Sequence, residues 1–155
     1  MRKICFILVA ISMIVLVACD KNSDMQWKFI EFDMTGIQAT INKGTHSYEI
    51  HVPKEGADFT FRPTKKSMTS YKIESCWLYN ESNHLNTIGK ELGLNGEFFE
   101  AHIENVKNNQ GETFRTLFVH IDPLGVDSNV DNNGNRRMKI ELWGAYEFAN
   151  LLFVQ

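Results

Sequence analysis

Apolar side chains recur at every second position in one segment after another of this chain, and a period of two belongs to β-strands. In Ser47–Val52, Tyr48, Ile50 and Val52 share one face while Glu49 and His51 share the other. Ala57–Arg62 sets Phe59 and Phe61 against Thr60 and Arg62, and Pro53-Lys54-Glu55-Gly56 between the two segments has turn chemistry. These two segments are therefore expected to form a hairpin. Tyr71–Tyr79 reads as a longer strand with Tyr71, Ile73 and Trp77 on one side. Glu97–Val106 alternates Phe99, Ala101 and Ile103 with Glu100, His102 and Glu104, and Thr113–Ile121 returns with Leu117, Val119 and Ile121 on one face. Asn108-Asn109-Gln110-Gly111 joins them, since Asn and Gly tolerate positive φ. Arg136–Trp143 buries Met138, Ile140 and Leu142, Phe148–Val154 follows, and Met25–Met34 adds a strand at the start. Only Ile88–Leu94 reads as a short helical turn. The expectation is an all-β fold, an antiparallel β-sandwich of seven to eight strands forming a single domain over residues 26–155. No long amphipathic helix appears, which argues against α/β folds and the nucleotide-binding motifs they host.

The first eighteen residues obey a different rule. Met1-Arg2-Lys3 is a positive head, and Ile4 to Val17 run apolar except for Ser12. That run is shorter than the ~20 residues a helix needs to cross the hydrocarbon core, and its length and flanks match a secretory signal peptide. It ends on Leu16-Val17-Ala18-Cys19, which resembles the lipobox of bacterial lipoproteins. The resemblance implies cleavage after Ala18, a diacylglyceryl group on the Cys19 thiol and acylation of the new amine. Residues 1–18 would then be the signal peptide and 19–25 the lipidated cysteine with a polar tether. At ~0.8 kcal/mol per buried methylene, two or three acyl chains hold a protein on a membrane indefinitely.

Processing of this kind changes the chemistry that is left. Cleavage removes the two positive charges of Arg2 and Lys3 and no acid, so the formal charge goes from −3 to −5. An acidic chain without clustered Lys and Arg lacks the footprint of a nucleic-acid binder. Of the three cysteines, Cys5 leaves with the signal and Cys19 carries lipid, so Cys76 has no partner within the mature chain. It is expected to be a small core residue, because nothing in Glu74-Ser75-Cys76-Trp77 supplies the base a reactive thiol needs.

A second resemblance is carried by Asn132-Asn133-Gly134-Asn135-Arg136-Arg137, Lys139-Ile140-Glu141-Leu142 and Leu152-Phe153-Val154-Gln155, together with Val52-Pro53-Lys54-Glu55-Gly56-Ala57-Asp58-Phe59-Thr60-Phe61. These segments are similar to BACON-type domains, immunoglobulin-like sandwiches of Bacteroides-like surface lipoproteins. They cover the two ends of the mature domain and leave residues 80–112 unmatched. The family pattern of a Trp followed by a Trp-Leu pair is met only by Trp77-Leu78. The resemblance implies an immunoglobulin-like sandwich with a role in glycan or mucin binding. Asp20 and Asp24 follow Cys19 as acidic residues do in such lipoproteins, which implies the outer membrane, at its surface or periplasmic face. Enterobacterial sorting rules would instead read Asp20 as inner-membrane retention.

Motifs for chemistry are few. Asp127, Asn129 and Asp131 have the one-three-five spacing of a calcium loop, but Asn132 stands where Gly is needed and Met138 where a bidentate acid belongs. A solvated hairpin turn is the expected reading, and no cofactor is expected beyond the lipid on Cys19. The five histidines lack zinc spacing, although His102 and His120 fall on strands expected to pair. No nucleophile elbow or phosphate loop occurs. The remaining lead is aromatic. Alternation turns Trp143 outward beside Lys139 and Glu141, with Tyr146 in the next turn, as a platform for a sugar face or a protein partner. The more ordinary alternative is that a bulge at Gly144 turns Trp143 inward to cap the sandwich. Trp27 and Trp77 are expected to pack in or against the core. The first functional reading is a lipid-anchored, non-enzymatic envelope protein that binds a glycan or another envelope protein. A structural or docking subunit of an envelope assembly comes second, and a hydrolase with an unrecognised site third.

Overall fold

The computed structural model describes residues 27–66, 68, 70–79, 83–126 and 128–155. The expected signal peptide, Cys19 and the expected tether lie outside the described residues. Among the described residues eleven strands run in chain order: β1 (Lys28–Phe29), β2 (Ala39–Asn42), β3 (Ser47–His51), β4 (Ala57–Phe61), β5 (Lys72–Leu78), β6 (Asn83–Leu85), β7 (Gly93–Asn95), β8 (Phe99–Lys107), β9 (Thr113–Ile121), β10 (Arg137–Gly144) and β11 (Glu147–Val154). One sheet has the order β2-β3-β11-β10-β5-β6, with β1 also on β11, and the other has the order β4-β9-β8-β7. Their inner faces enclose one core, to which Ile50, Phe61, Ile73, Leu117, Ile140 and Leu151 each contribute a side chain with no solvent exposure. Burying a side chain of this size stabilises the fold by about 1.5–3 kcal/mol. The chain is thus a β-sandwich, with short edge strands raising the count above the expected seven or eight.

Several expectations fail, each for a physical reason. Ser47–Val52 and Ala57–Arg62 do not pair as a hairpin: β3 joins β11 in the larger sheet and β4 joins β9 in the smaller. Pro53–Gly56 arches between the layers, so Tyr48, Ile50, Phe59 and Phe61 meet across the core rather than side by side. Gly56 makes the arch tight, with φ of 80° and room for no Cβ, since one built there would stand 2.4 Å from the Ile121 carbonyl oxygen. The expected helical turn at Ile88–Leu94 is a pair of turns leading into β7, which pairs with β8. Finally, β5 does not alternate evenly. Against β10, Glu141 faces Ser75 but Leu142 faces Ile73, so Glu74 is an extra, bulged residue. The Thr87 hydroxyl donates to the Glu74 carbonyl, 2.5 Å away. Beyond the bulge Cys76 and Leu78 point inward with Ile73, and Trp77 turns to the opposite face.

The expected β8–β9 and β10–β11 hairpins are present, with Gly111 at φ 77° and Tyr146 at φ 63° in their turns. The pairing is antiparallel except around β11, which takes β1 and β3 in parallel along the same edge. The opening segment is not one strand: after β1, Phe32 bridges to Pro63 beside the smaller sheet. The Tyr48 hydroxyl holds this crossing, accepting from the Phe32 amide at 2.9 Å and donating to the Ile30 carbonyl at 3.0 Å.

Candidate functional site

The outer face of the larger sheet gathers the side chains that could recognise a ligand. Trp77, Lys139 and Leu152 lie in one row across β5, β10 and β11, and Ser75, Glu141 and Asn150 lie in the next. Lys139 and Glu141 are outward by plain alternation, because Met138, Ile140 and Leu142 fill the core. Trp77 is outward only because of the bulge at Glu74. Its indole N–H donates to Ser75 Oγ at 3.0 Å, and that hydroxyl donates to Glu141 at 2.5 Å. Glu141 in turn pairs with Lys139 at 3.3 Å, and the Lys139 ammonium lies 5.4 Å from the Trp77 ring centre. His84 covers part of the ring, 4.4 Å away between centres. The indole is thereby fixed in orientation before any ligand arrives.

Beside this ring opens a cleft of about 450 Å³, walled by Trp77, Tyr79, Asp131, Arg137, Lys139 and Leu152. Arg137 and Asp131 pair at 2.7 Å. Tyr79 adopts φ of 61°, a conformation that costs a non-glycine residue on the order of 1 kcal/mol. Its hydroxyl donates to Glu97 at 2.7 Å and accepts from Asn129 at 3.2 Å. Burial, reinforced by the Glu97 carboxylate, raises the Tyr79 phenol above its ordinary range. Tyr79 also borders a second hollow of about 330 Å³ with Glu97, Asn129 and Arg136, at the loop end of the sandwich. Arg136 itself is structural: buried, it lies 4.1 Å over the Phe98 ring and donates to the Gln155 side-chain oxygen and the Asp122 carbonyl.

The sequence-derived trio is split by this geometry. Lys139 belongs to the Trp77 cleft. Trp143, 38% exposed, does face outward, and no bulge at Gly144 turns it in, since β10 and β11 stay in register to Gly144. Its ring neighbours are Trp27 at 5.1 Å and Phe148 at 5.3 Å, both edge-on, rather than Tyr146. Tyr146 is 56% exposed in the adjoining turn. Trp27 is not a core residue, as it is 46% exposed. Reasoning from alternation missed Trp77 and Tyr79 as outward aromatics. The signal available was the step of three between the apolar positions Ile73 and Cys76, which marks a bulge.

Of the calcium spacing, Asp127 lies outside the described residues. Asn129 turns to Tyr79, and Asp131 accepts from the Asn133 and Asn135 amides while holding Arg137. Those backbone bonds, with Arg137, keep the Asp131 carboxyl below its ordinary range. His102 and His120 do not meet: His102 stacks on Phe118 at 5.0 Å, and His120 contacts Asp58 at 2.7 Å and Asp122 at 3.3 Å. Cys76 is buried and free, and burial pushes its thiol up to about 12.

No family model and no curated protein matches the chain. Among solved structures it is similar to an NMR structure of a protein from Bacteroides thetaiotaomicron, with a TM-score of 0.53 and 17% identity over 80% of this chain and 85% of that one. The likeness concerns the fold.

Proposed function

We propose that this chain is a lipid-anchored protein of the cell envelope, held by Cys19, whose sandwich binds a glycan in the Trp77–Tyr79 cleft without transforming it. The observation that carries the reading is the pre-set indole of Trp77 on the wall of an open cleft, between two ion pairs. An apolar ring face stacks on the C–H face of a sugar, and oriented charged groups bond its hydroxyls. The Arg137–Asp131 and Lys139–Glu141 pairs offer donors and acceptors side by side, which suits hydroxyl groups that need both. Because Ser75, Lys139 and His84 already hold the ring, little side-chain freedom is lost on binding. The outer membrane is the proposed address, on the strength of the acidic residues after Cys19 and the lipoprotein resemblance.

The test is a glycan-array screen of the purified mature protein followed by titration calorimetry on any hit. Trp77→Ala is expected to abolish binding and Trp143→Ala to leave it within twofold. Loss with Trp143→Ala and retention with Trp77→Ala would move the site to the other end of the sheet. Absence of binding to any sugar would remove the glycan reading.

A further inference from the structure

Two exposed indoles, Trp27 and Trp143, meet at the start of the described residues, and the exposed Tyr146 sits in the adjoining β10–β11 turn. Trp27 rests edge-on against Trp143, and the Lys28 amide next to it donates to the Tyr146 carbonyl at 2.8 Å, in the β10–β11 turn. Phe148 and the stacked pair Phe29–His46 continue the patch along the same sheet face. Lys28 is exposed beside it, and Lys72 lies opposite Trp143 on β5. Only seven residues lie between Cys19 and Trp27, a span of eight Cα steps. At 3.3–3.6 Å per residue, a fully extended tether reaches at most ~29 Å, and a relaxed one far less.

From this placement we infer that the Trp27–Trp143–Tyr146 patch is a membrane-contact surface that lies in the headgroup region of the bilayer carrying the lipid anchor. The inference rests on the lipidation of Cys19 proposed above. Trp and Tyr combine an apolar body with a polar edge, and they concentrate at the membrane–water interface for that reason. The exposed Lys28 at the rim matches anionic headgroups. The short tether keeps the patch within reach of the bilayer at all times, so even a weak interfacial affinity sets the orientation. That orientation has a use. Strand β10 runs from Arg137 at the cleft to Trp143 at the patch, a rise of roughly 20 Å over six residues. Docking one end therefore holds the Trp77–Tyr79 cleft away from the membrane, facing outward.

The experiment uses the full lipidated protein in vesicles of phosphatidylethanolamine and phosphatidylglycerol, with acyl chains brominated near the headgroup. In Trp77→Phe, which leaves Trp27 and Trp143 as the fluorophores, brominated lipid is expected to quench at least half of the emission. In Trp27→Phe/Trp143→Phe, which leaves Trp77, quenching is expected to stay below a tenth. Unquenched Trp27 and Trp143 that soluble iodide reaches equally with and without vesicles would overturn the proposal and leave the patch open to a soluble partner. Intact-mass measurement and vesicle flotation separate the two failures. A mass without acyl chains and a protein that does not float would overturn the anchor and this inference together, whereas an acylated, floating, unquenched protein would overturn only the contact surface.

Discussion

Replacing Gly56 by alanine tests the arch that joins the two sheets. Two costs arise there and can be separated. The first is conformational: φ of 80° is open to glycine but costs an L-residue about 1–2 kcal/mol. The second is steric, because the new Cβ would stand 2.4 Å from the Ile121 carbonyl oxygen, 2.8 Å from the Asp122 carbonyl carbon and 2.9 Å from the Pro123 nitrogen. All three are backbone atoms at the end of β9, so relief requires the arch to move away from the smaller sheet. Forced displacement of packed atoms costs roughly 1–3 kcal/mol more. Gly134 is the internal reference, with φ of 76° and nothing within 4 Å of its added Cβ. Gly134→Ala should cost about 1–2 kcal/mol and Gly56→Ala about 2–5 kcal/mol. The assay is urea denaturation of the protein followed by intrinsic fluorescence, with the slope checked for constancy. Equal losses in the two variants would refute the steric part of the reasoning.

Three further outcomes are expected. Glu147 is buried on the inner face of β11 with one carboxylate oxygen lacking any hydrogen-bond partner. Burial raises its carboxyl, and Lys28 offsets part of that; a raised acid contributes most below its unfolded value, near 4.5, and loses this as pH rises through the folded value. Glu147→Gln should therefore raise Tm at pH 8 and leave it nearly unchanged at pH 4, as read by differential scanning calorimetry. The hydrogen bond to Asp58, with lesser help from Asp122, raises the His120 imidazole above 6.5, so its small, solvent-screened contribution is complete below that pH and fades above it. An NMR titration should show the His120 midpoint falling in Asp58→Asn. Cys76 should resist a maleimide in the folded protein and react within minutes in 6 M guanidinium, because its thiol is both buried and held protonated. Rapid labelling of the native chain would contradict its place in the core.

The sequence made individual strands legible because burial on one face imposes a period of two, as Met138, Ile140 and Leu142 or Leu117, Val119 and Ile121 demonstrate. It did not show which strands pair. Turn chemistry at Pro53–Gly56 suits a hairpin and an inter-sheet arch equally, since each needs only a tight reversal with positive φ. The parallel pairing of β1 and β3 with β11 depends on contacts far apart in sequence, which no local pattern encodes. For the candidate site, Lys139 was legible because β10 is regular. Trp77 was hidden by one extra residue, since a bulge inverts every side chain beyond it.

The place of β11 bears on when this protein can become itself. It is the hub of the larger sheet, bonded to β10 on one side and to β1 and β3 on the other. Its partners β1 and β3 lie roughly a hundred positions earlier in the chain, so loop closure over that span precedes any reward from pairing. A chain emerging from a secretion channel would thus expose the open edge of β3 until its last strand arrives. If the chain is exported as proposed, folding is a post-export event, and a holdase that covers β3 in the interval would protect it from pairing with a neighbour.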